Sequence, residues 1–282
     1  MELLTSRQLV QAWTRLNRQQ GRTIGFVPTM GALHEGHLSL VRRAVAENDL
    51  VVASIFVNPT QFGPNEDFNR YPREPERDAQ MLQQAGCHAL FLPQVEDIYP
   101  AGSSTRVTVS DVTEQLCGLF RPGHFQGVAT VVAILFNLVM PTRAYFGKKD
   151  YQQWVVIRRM VTDLAMDLEI IGMETVRESD GMALSSRNRY LTPQQRQQAL
   201  AISRGLRAAL AAYQSGCREG HELVGLVMKT LEQAGIDRVD YAALHQIDSL
   251  APAVRADAPS VLLVAAHVGG VRLIDNLELT TP

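Results

Sequence analysis

Phe26-Val27-Pro28-Thr29-Met30-Gly31-Ala32-Leu33-His34-Glu35-Gly36-His37-Leu38 is the stretch whose reading decides the fold of this chain. Before it, Ile24 to Val27 is a short apolar run that reads as a buried strand. After it, Leu38, Leu40, Val41, Ala44 and Val45 recur at helical spacing. The two histidines therefore sit where a strand turns into a helix. The free N–H groups and dipole of a helix start favour phosphate at such a place.

Working outward, Leu50 to Val57 is a continuous apolar run rich in Val and Ile, as expected of a central parallel strand covered on both faces. Strand, helix and strand in that order make a βαβ unit. Ser6 to Gln19 reads as an earlier helix, and Gly63 to Pro75 as a mobile surface loop. Glu76 to Ala85 reads as a helix, His88 to Leu92 as a strand and Val107 to Val109 as a short strand. An apolar helix is expected from about Gly127 to Val139, a strand over Arg143 to Phe146, a helix from Tyr151 to about Leu164 and a strand over Leu168 to Gly172. This alternation predicts an α/β fold with a doubly wound parallel sheet.

The texture changes after Thr175. Arg177 to Arg189 is polar. Thr192 then caps a helix with Pro193 at its first position, running to about Gln214, and a second helix runs from about Glu219 to Ala234. Three strand-like runs follow, Val239 to Leu244, Val261 to His267 and Val271 to Ile274. Two helices and three strands without alternation predict a small α+β C-terminal domain, dividing the chain into 1–175 and 176–282.

With 282 residues, 46% hydrophobic content, 20% charged residues and a net charge of −2, the chain reads as a soluble globular protein with no basic field for nucleic acid or anionic membrane. No signal peptide is evident at its start, and Val128 to Met140 is too short to span a bilayer. Cys87, Cys117 and Cys217 fit neither a disulfide framework nor a zinc site, and a reducing cytoplasm is the expectation.

Three readings of His34 and His37 stand side by side: two surface histidines at a helix start, a metal site without an evident third ligand, or N–H donors to phosphate oxygens. Position at the carboxyl end of the first strand of the βαβ unit favours the third, since nucleotidyl transfer builds charge on equatorial oxygens that fixed donors stabilise. Asn58 and Gln61 follow the next strand on the same rim. Their amides suit hydroxyl or carboxylate groups, although turn chemistry around Pro59 alone would explain Asn58. Lys149 and Asp150 follow another strand, where Gly147 lets backbone approach a ligand, and Gln153 lies one turn on. A solvated helix start is the common explanation of an isolated Lys-Lys-Asp. Ser185-Ser186-Arg187 suits a triphosphate, yet such a tripeptide occurs in many loops.

Taken together, seven segments in order resemble the pantothenate synthetase (pantoate–β-alanine ligase) family. They are Val27 to His37, Ser54 to Phe62, Arg70-Tyr71-Pro72-Arg73, Arg121-Pro122-Gly123-His124-Phe125, Phe146 to Gln153, Asp180 to Asn188, and Arg272-Leu273-Ile274-Asp275-Asn276. The resemblance covers essentially the whole chain. It implies a Rossmann-like nucleotidyltransferase domain with a small C-terminal lid domain, usually in a homodimer. It also implies ATP and Mg²⁺ as requirements, and pantoate and β-alanine as substrates. AMP and pyrophosphate would be released through a pantoyl adenylate. On this likeness His34, His37 and Lys149 are catalytic, with the family assigning the second histidine, His37, as proton donor. ATP falls to Met30, Gly31, Ala32, Leu33, His34, Glu35, Gly36, His37, Gly147, Lys148, Lys149, Asp150, Val176, Leu184, Ser185, Ser186 and Arg187. Asn58, Gln61, Gln153, Val131 and Val132 are implied for pantoate, and no metal ligands are implied. A nucleotidyltransferase acting on a different carboxylate or phosphate acceptor, and a non-catalytic nucleotide-binding protein, are the alternatives.

One departure is visible. The family usually has Gly-Glu-Lys-Asp where this chain has Gly147-Lys148-Lys149-Asp150. The expectation is that Lys148 faces solvent and that the charge reversal is nearly silent.

Overall fold

The computed structural model describes residues 1–64 and 66–280. A six-stranded parallel sheet is built from β1 (Glu2–Leu4), β2 (Ile24–Thr29), β3 (Leu50–Ile55), β4 (Ala89–Phe91), β5 (Arg143–Gly147) and β6 (Glu169–Met173). Between these strands lie the helices α1 (Arg7–Gln19), α2 (Glu35–Glu47), α3 (Pro75–Gln84), α4 (Val95–Ile98), α5 (Cys117–Phe120), α6 (His124–Val139) and α7 (Tyr151–Asp163). The strand order is β1-β4-β3-β2-β5-β6. The chain builds outward from β2 on one side and then returns to build β5 and β6 on the other. The order thus reverses between β2 and β5, and the crevice beyond their carboxyl ends is where such sheets hold ligands.

Two faces of apolar side chains bury the sheet, and the period of two along each strand assigns them. Phe26, Val52 and Phe91 join one core with α1, α6 and α7, while Val27, Val51, Ala53 and Leu90 join the other with α2 and α3. Phe26 and Val27 are fully buried, and burial of such a side chain stabilises by about 1.5–3 kcal/mol. Helix α6 is apolar around most of its circumference because the sheet, α1 and α7 all cover it. Gly127 on α6 lies against the Pro59–Gln61 turn, where an added Cβ would stand 2.4 Å from the Thr60 carbonyl oxygen.

The second sheet is antiparallel, β7 (Val239–Gln246), β8 (Ser260–Val268) and β9 (Val271–Leu279) in that order, packed with α8 (Pro193–Gln214) and α9 (Gly220–Gln233). Thr192 begins α8 as its residue type predicts. Its hydroxyl accepts from the Gln195 N–H and the Gln195 side chain accepts from the Thr192 N–H. Val261 and Leu263 on β8 contribute to the core of the first sheet instead of that of the second.

The elements differ from expectation in a few places. β1, only three residues long, shows no alternation in sequence and is held by its ladder with β4. Val107 to Val109 is not a strand, and the Val107 N–H bonds to the Thr130 hydroxyl of α6. Helix α6 starts at His124, three residues before Gly127, and β9 runs on to Leu279 past Ile274. Within Gly63 to Pro75 the structure turns Tyr71 inward to 6% exposure. No helix among the described residues is long and apolar enough to cross a membrane.

Candidate active site

The turn after β2 is tightly braced. Gly31 (φ +83°) and Ala32 (φ +52°) both take left-handed backbone, which costs an L-residue such as Ala32 about 1–2 kcal/mol. The carboxylate of Asp78 on α3, 1% exposed, accepts the Ala32 N–H at 2.7 Å and the Leu33 N–H at 2.9 Å. Nothing in the spacing of α3 links Asp78 to a turn 45 residues earlier, so its role has no signal in the sequence. Leu33 enters the core and Glu35 pairs outward with Arg42. Gly31, Ala32, Leu33 and Glu35 therefore shape the turn without lining the cleft.

His34 caps α2, and its backbone N–H donates to Nδ1 of His37 at 3.3 Å. His37 Nδ1 is thus unprotonated, and its remaining N–H is on Nε2. The rings lie 4.1 Å apart between centroids, and His34 Nδ1 is buried without a partner. Burial, then the Lys149 charge, pushes His34 down to about 4. Burial, then His34, pushes His37 down to about 3. At neutral pH both rings are uncharged donors.

Asn58 is 1% exposed and its amide is fully engaged. Nδ2 donates to the Gly127 carbonyl at 3.1 Å and to Gln61 Oε1 at 3.0 Å, while Oδ1 accepts from Tyr99 and Thr60. The Gly127 carbonyl can only accept, which orients the Asn58 amide and, through it, Gln61. Gln61 Nε2 is left as the donor, resting 3.2 Å from Met30 Sδ. His124 Nδ1 bonds the Gln61 carbonyl at 2.8 Å and its Nε2 meets Arg121 at 3.1 Å. Burial, then Arg121, pushes His124 down to about 4, which agrees with a neutral ring donating from Nδ1.

At the end of β5 the chain makes one 3₁₀ turn, Lys148–Asp150, before α7. Lys149 Nζ lies 3.7 Å from Asp150 Oδ2. Lys148 does not face solvent as expected, nor does its side chain enter the cleft. Its side chain is only 17% exposed, and its ammonium pairs with Glu174 at 2.8 Å and Glu278 at 2.9 Å and lies 5.4 Å from the Trp154 ring. Burial opposes its charge, but the two carboxylates outweigh burial and raise its pKa.

The polar segment closes the cleft from the other side. Val176 and Leu184 are joined by a backbone bond, so 176–184 folds back on itself and presents Ser185 to Arg187. Arg187 makes two bonds to Asp67, 2.8 and 2.9 Å, and stands over the Tyr71 ring at 5.7 Å. Tyr71 and Ser186 hydroxyls are 3.4 Å apart. Arg121 likewise holds Glu66, at 2.5 and 2.6 Å.

These residues meet in two connected cavities. One of about 210 Å³ is lined by Met30, His34, Gly36, His37, Asn58, Gln61, Val131, Val132, Gly147, Lys149, Asp150, Gln153, Val176, Leu184, Ser185, Ser186 and Arg187. The other, about 970 Å³, shares Lys149, Asp150, Gln153, Ser185 and Arg187 and extends past Arg121 to Arg272. Among the described residues no three His, Cys, Asp or Glu side chains are grouped to hold a metal ion. The chemistry available is that of neutral imidazole, amide and ammonium donors, a set that suits a negatively charged ligand.

The sequence profile of the pantoate-beta-alanine ligase family matches residues 2–278. Pantothenate synthetase of Magnetococcus marinus is 56% identical over 281 residues, covering 99% of this chain and 96% of that protein. The crystal structure of pantothenate synthetase from Thermus thermophilus superposes with a TM-score of 0.93 at 48% identity, covering 98% of this chain and 99% of that one. Pantoate-beta-alanine ligase from Francisella tularensis, complexed with beta-gamma ATP and beta-alanine, superposes with a TM-score of 0.82 at 35% identity, covering 98% and 97%.

Proposed function

The chain belongs to the pantoate-beta-alanine ligase family, and from that membership we propose how its residues divide the reaction. It is an ATP-dependent ligase that joins pantoate to β-alanine. The observation that carries the assignment of residues is a single cavity lined at once by His37, Gln61, Lys149 and Arg187.

In the first step a pantoate carboxylate oxygen attacks the α-phosphorus of ATP, and the bond to the β-phosphate oxygen breaks. Pantoyl adenylate forms and pyrophosphate leaves. The carboxylate is already a nucleophile, so the main demand is positioning. Gln61 donates from Nε2 to a pantoate oxygen, Gln153 completes the clamp, and Met30, Val131 and Val132 form the apolar wall. Asn58 acts here by orienting Gln61. The neutral N–H groups of His34 and His37 and the Lys149 ammonium stabilise charge growing on the α-phosphate. Ser185, Ser186 and Arg187 hold the outer phosphates, for which Arg187 exchanges Asp67 as its partner. In the second step the free amine of β-alanine attacks the acyl carbon, the bond from that carbon to the AMP oxygen breaks, AMP leaves, and the nitrogen's proton passes to water.

Mg²⁺ fits this site as the partner of ATP. Asp150, half exposed and without a guanidinium partner, is the cleft carboxylate available to it, whereas Glu66 and Asp67 are held by arginines. When bound, Mg²⁺ supplies charge neutralisation of the phosphates. We assign residues 1–175 and 176–282 to two domains, the second closing over the adenylate and excluding water. Family resemblance supports a cytoplasmic location and a homodimer, the latter testable by light scattering of the purified protein.

Exchange of labelled pyrophosphate into ATP tests the adenylation step. Exchange that depends on pantoate, and pantothenate on adding β-alanine, are the expected results. Exchange without dependence on pantoate would assign the chain to another acceptor.

A further inference from the structure

Strand β9 belongs to the second sheet, yet it grips the phosphate-facing turn of the first. Asn276 Nδ2 donates to the carbonyl oxygens of Lys148 at 2.8 Å and Lys149 at 2.9 Å. Both partners can only accept, so the atom that faces them must be the amide nitrogen. Asn276 is 6% exposed, which shields these bonds from water. Its neighbour Asp275, 4% exposed, takes the Arg177 guanidinium at 2.7 and 2.9 Å and also accepts the Asn276 N–H at 2.8 Å. Arg177 in turn reaches the Asn276 carbonyl at 3.3 Å and that of Gly181 at 3.2 Å. One dipeptide thus ties the Lys148–Lys149 turn to the segment that leads to Ser185 and Arg187.

We propose that Asn276 is a positioning residue for adenylation: by binding two successive carbonyls it sets the backbone from which Lys149 reaches the α-phosphate. The physical ground is that the Lys148–Asp150 turn is short, has no side-chain cap at Gly147, and carries a long flexible side chain whose aim depends on its Cα direction. Asp275 supports Asn276 through its backbone N–H. This proposal rests on the reading that Lys149 stabilises the α-phosphate. It adds that the second sheet, through β9, holds that lysine in register.

The test is pantoate-dependent pyrophosphate exchange by the full chain as wild type, Asn276→Ala, Asn276→Asp, Lys149→Ala and the Asn276→Ala/Lys149→Ala double variant, with folding followed by circular dichroism. Asn276→Ala is expected to lower kcat about 10–100-fold, the scale of a displaced catalytic group, with the ATP KM changed less than about threefold. Asn276→Asp, isosteric but unable to donate to either carbonyl, is expected to fall at least as far. In the Lys149→Ala background, Asn276→Ala is expected to cost less than about threefold further, because the two act as one unit. Near-wild-type activity of Asn276→Asp, a change carried by the ATP KM, or an undiminished effect without Lys149 would each overturn the proposal. If Asn276→Ala does not fold, Asn276→Asp decides by the same comparisons. Absence of pantoate-dependent exchange in the wild type would instead overturn the underlying reading of the reaction, and the proposal with it.

Discussion

The backbone N–H of His34 donates to Nδ1 of His37 at 3.3 Å. This one bond makes His37 a neutral ring with its single proton on Nε2, and the depressed pKa values of both rings, about 4 and about 3, agree with that state. A helix start with two uncharged N–H donors can stabilise growing phosphate charge without first losing or gaining a proton.

The same depression predicts how stability depends on pH. His34, His37 and His124 are each held well below their ordinary value of 6.5, chiefly by burial. The unfolded chain therefore binds more protons than the folded one between about pH 6.5 and pH 4, so stability rises with pH across that window. Their contribution is fully present above the unfolded pKa and is lost as pH falls through 6.5 toward 4. Urea midpoints measured from pH 8 to pH 4.5 should decline most below about 6.5, and less steeply in His124→Phe. A midpoint that rises on acidification across this range would contradict the assignment.

Lys148→Glu would introduce the residue that the family resemblance implies at this position, but here it would set three carboxylates together, with Glu174 and Glu278. Lys148 is 17% exposed and joins the end of β6 to β9. Glu278 is mostly buried while Glu174 is largely exposed, so removing the cation is expected to destabilise by about 1–3 kcal/mol, chiefly by leaving Glu278 unpaired. Because the side chain lies outside the cleft, the ATP KM should change less than about tenfold. Thermal unfolding and ATP titration of the variant separate the two effects. A large KM change with an unaltered Tm would return Lys148 to the nucleotide site.

Asp67→Asn should free Arg187 for phosphate. Both guanidinium nitrogens facing Asp67 are occupied by its carboxylate, at 2.8 and 2.9 Å. Releasing a partly buried carboxylate that competes with the nucleotide is expected to tighten ATP binding by about 3–10-fold, or about 0.7–1.4 kcal/mol. Calorimetric titration with ATP measures it directly. Weaker binding would mean that Asp67 is needed to aim the guanidinium.

The fold was legible where runs of apolar residues are long. β3, buried throughout its last five positions, and the body and end of α6, stopped by Pro141, follow from the order of residues. β1 and the unpaired Val107–Val109 were not, because three residues carry too little periodicity to separate a ladder from an extended chain. The residues facing the cleft were legible through motif and position: His34, His37, Gln61, Lys149, Gln153 and the Ser185–Arg187 segment. The residues that hold them were not. Asp78 acts across 45 residues, Asp67 across 120 and Asn276 across 127, and separations of that size leave no local signal. The burial of Lys148 has no local signal for the same reason, since its partner Glu278 lies on the last strand.

Single-turnover formation of pantoyl adenylate by His37→Ala tests the central claim most directly. If His37 stabilises charge at the α-phosphate, adenylate formation should slow by about 10²–10³-fold, or 2.7–4 kcal/mol. Attack by the β-alanine amine on adenylate supplied to the variant should change far less. Adenylate forming at the wild-type rate, with only the amine step slowed, would contradict the account.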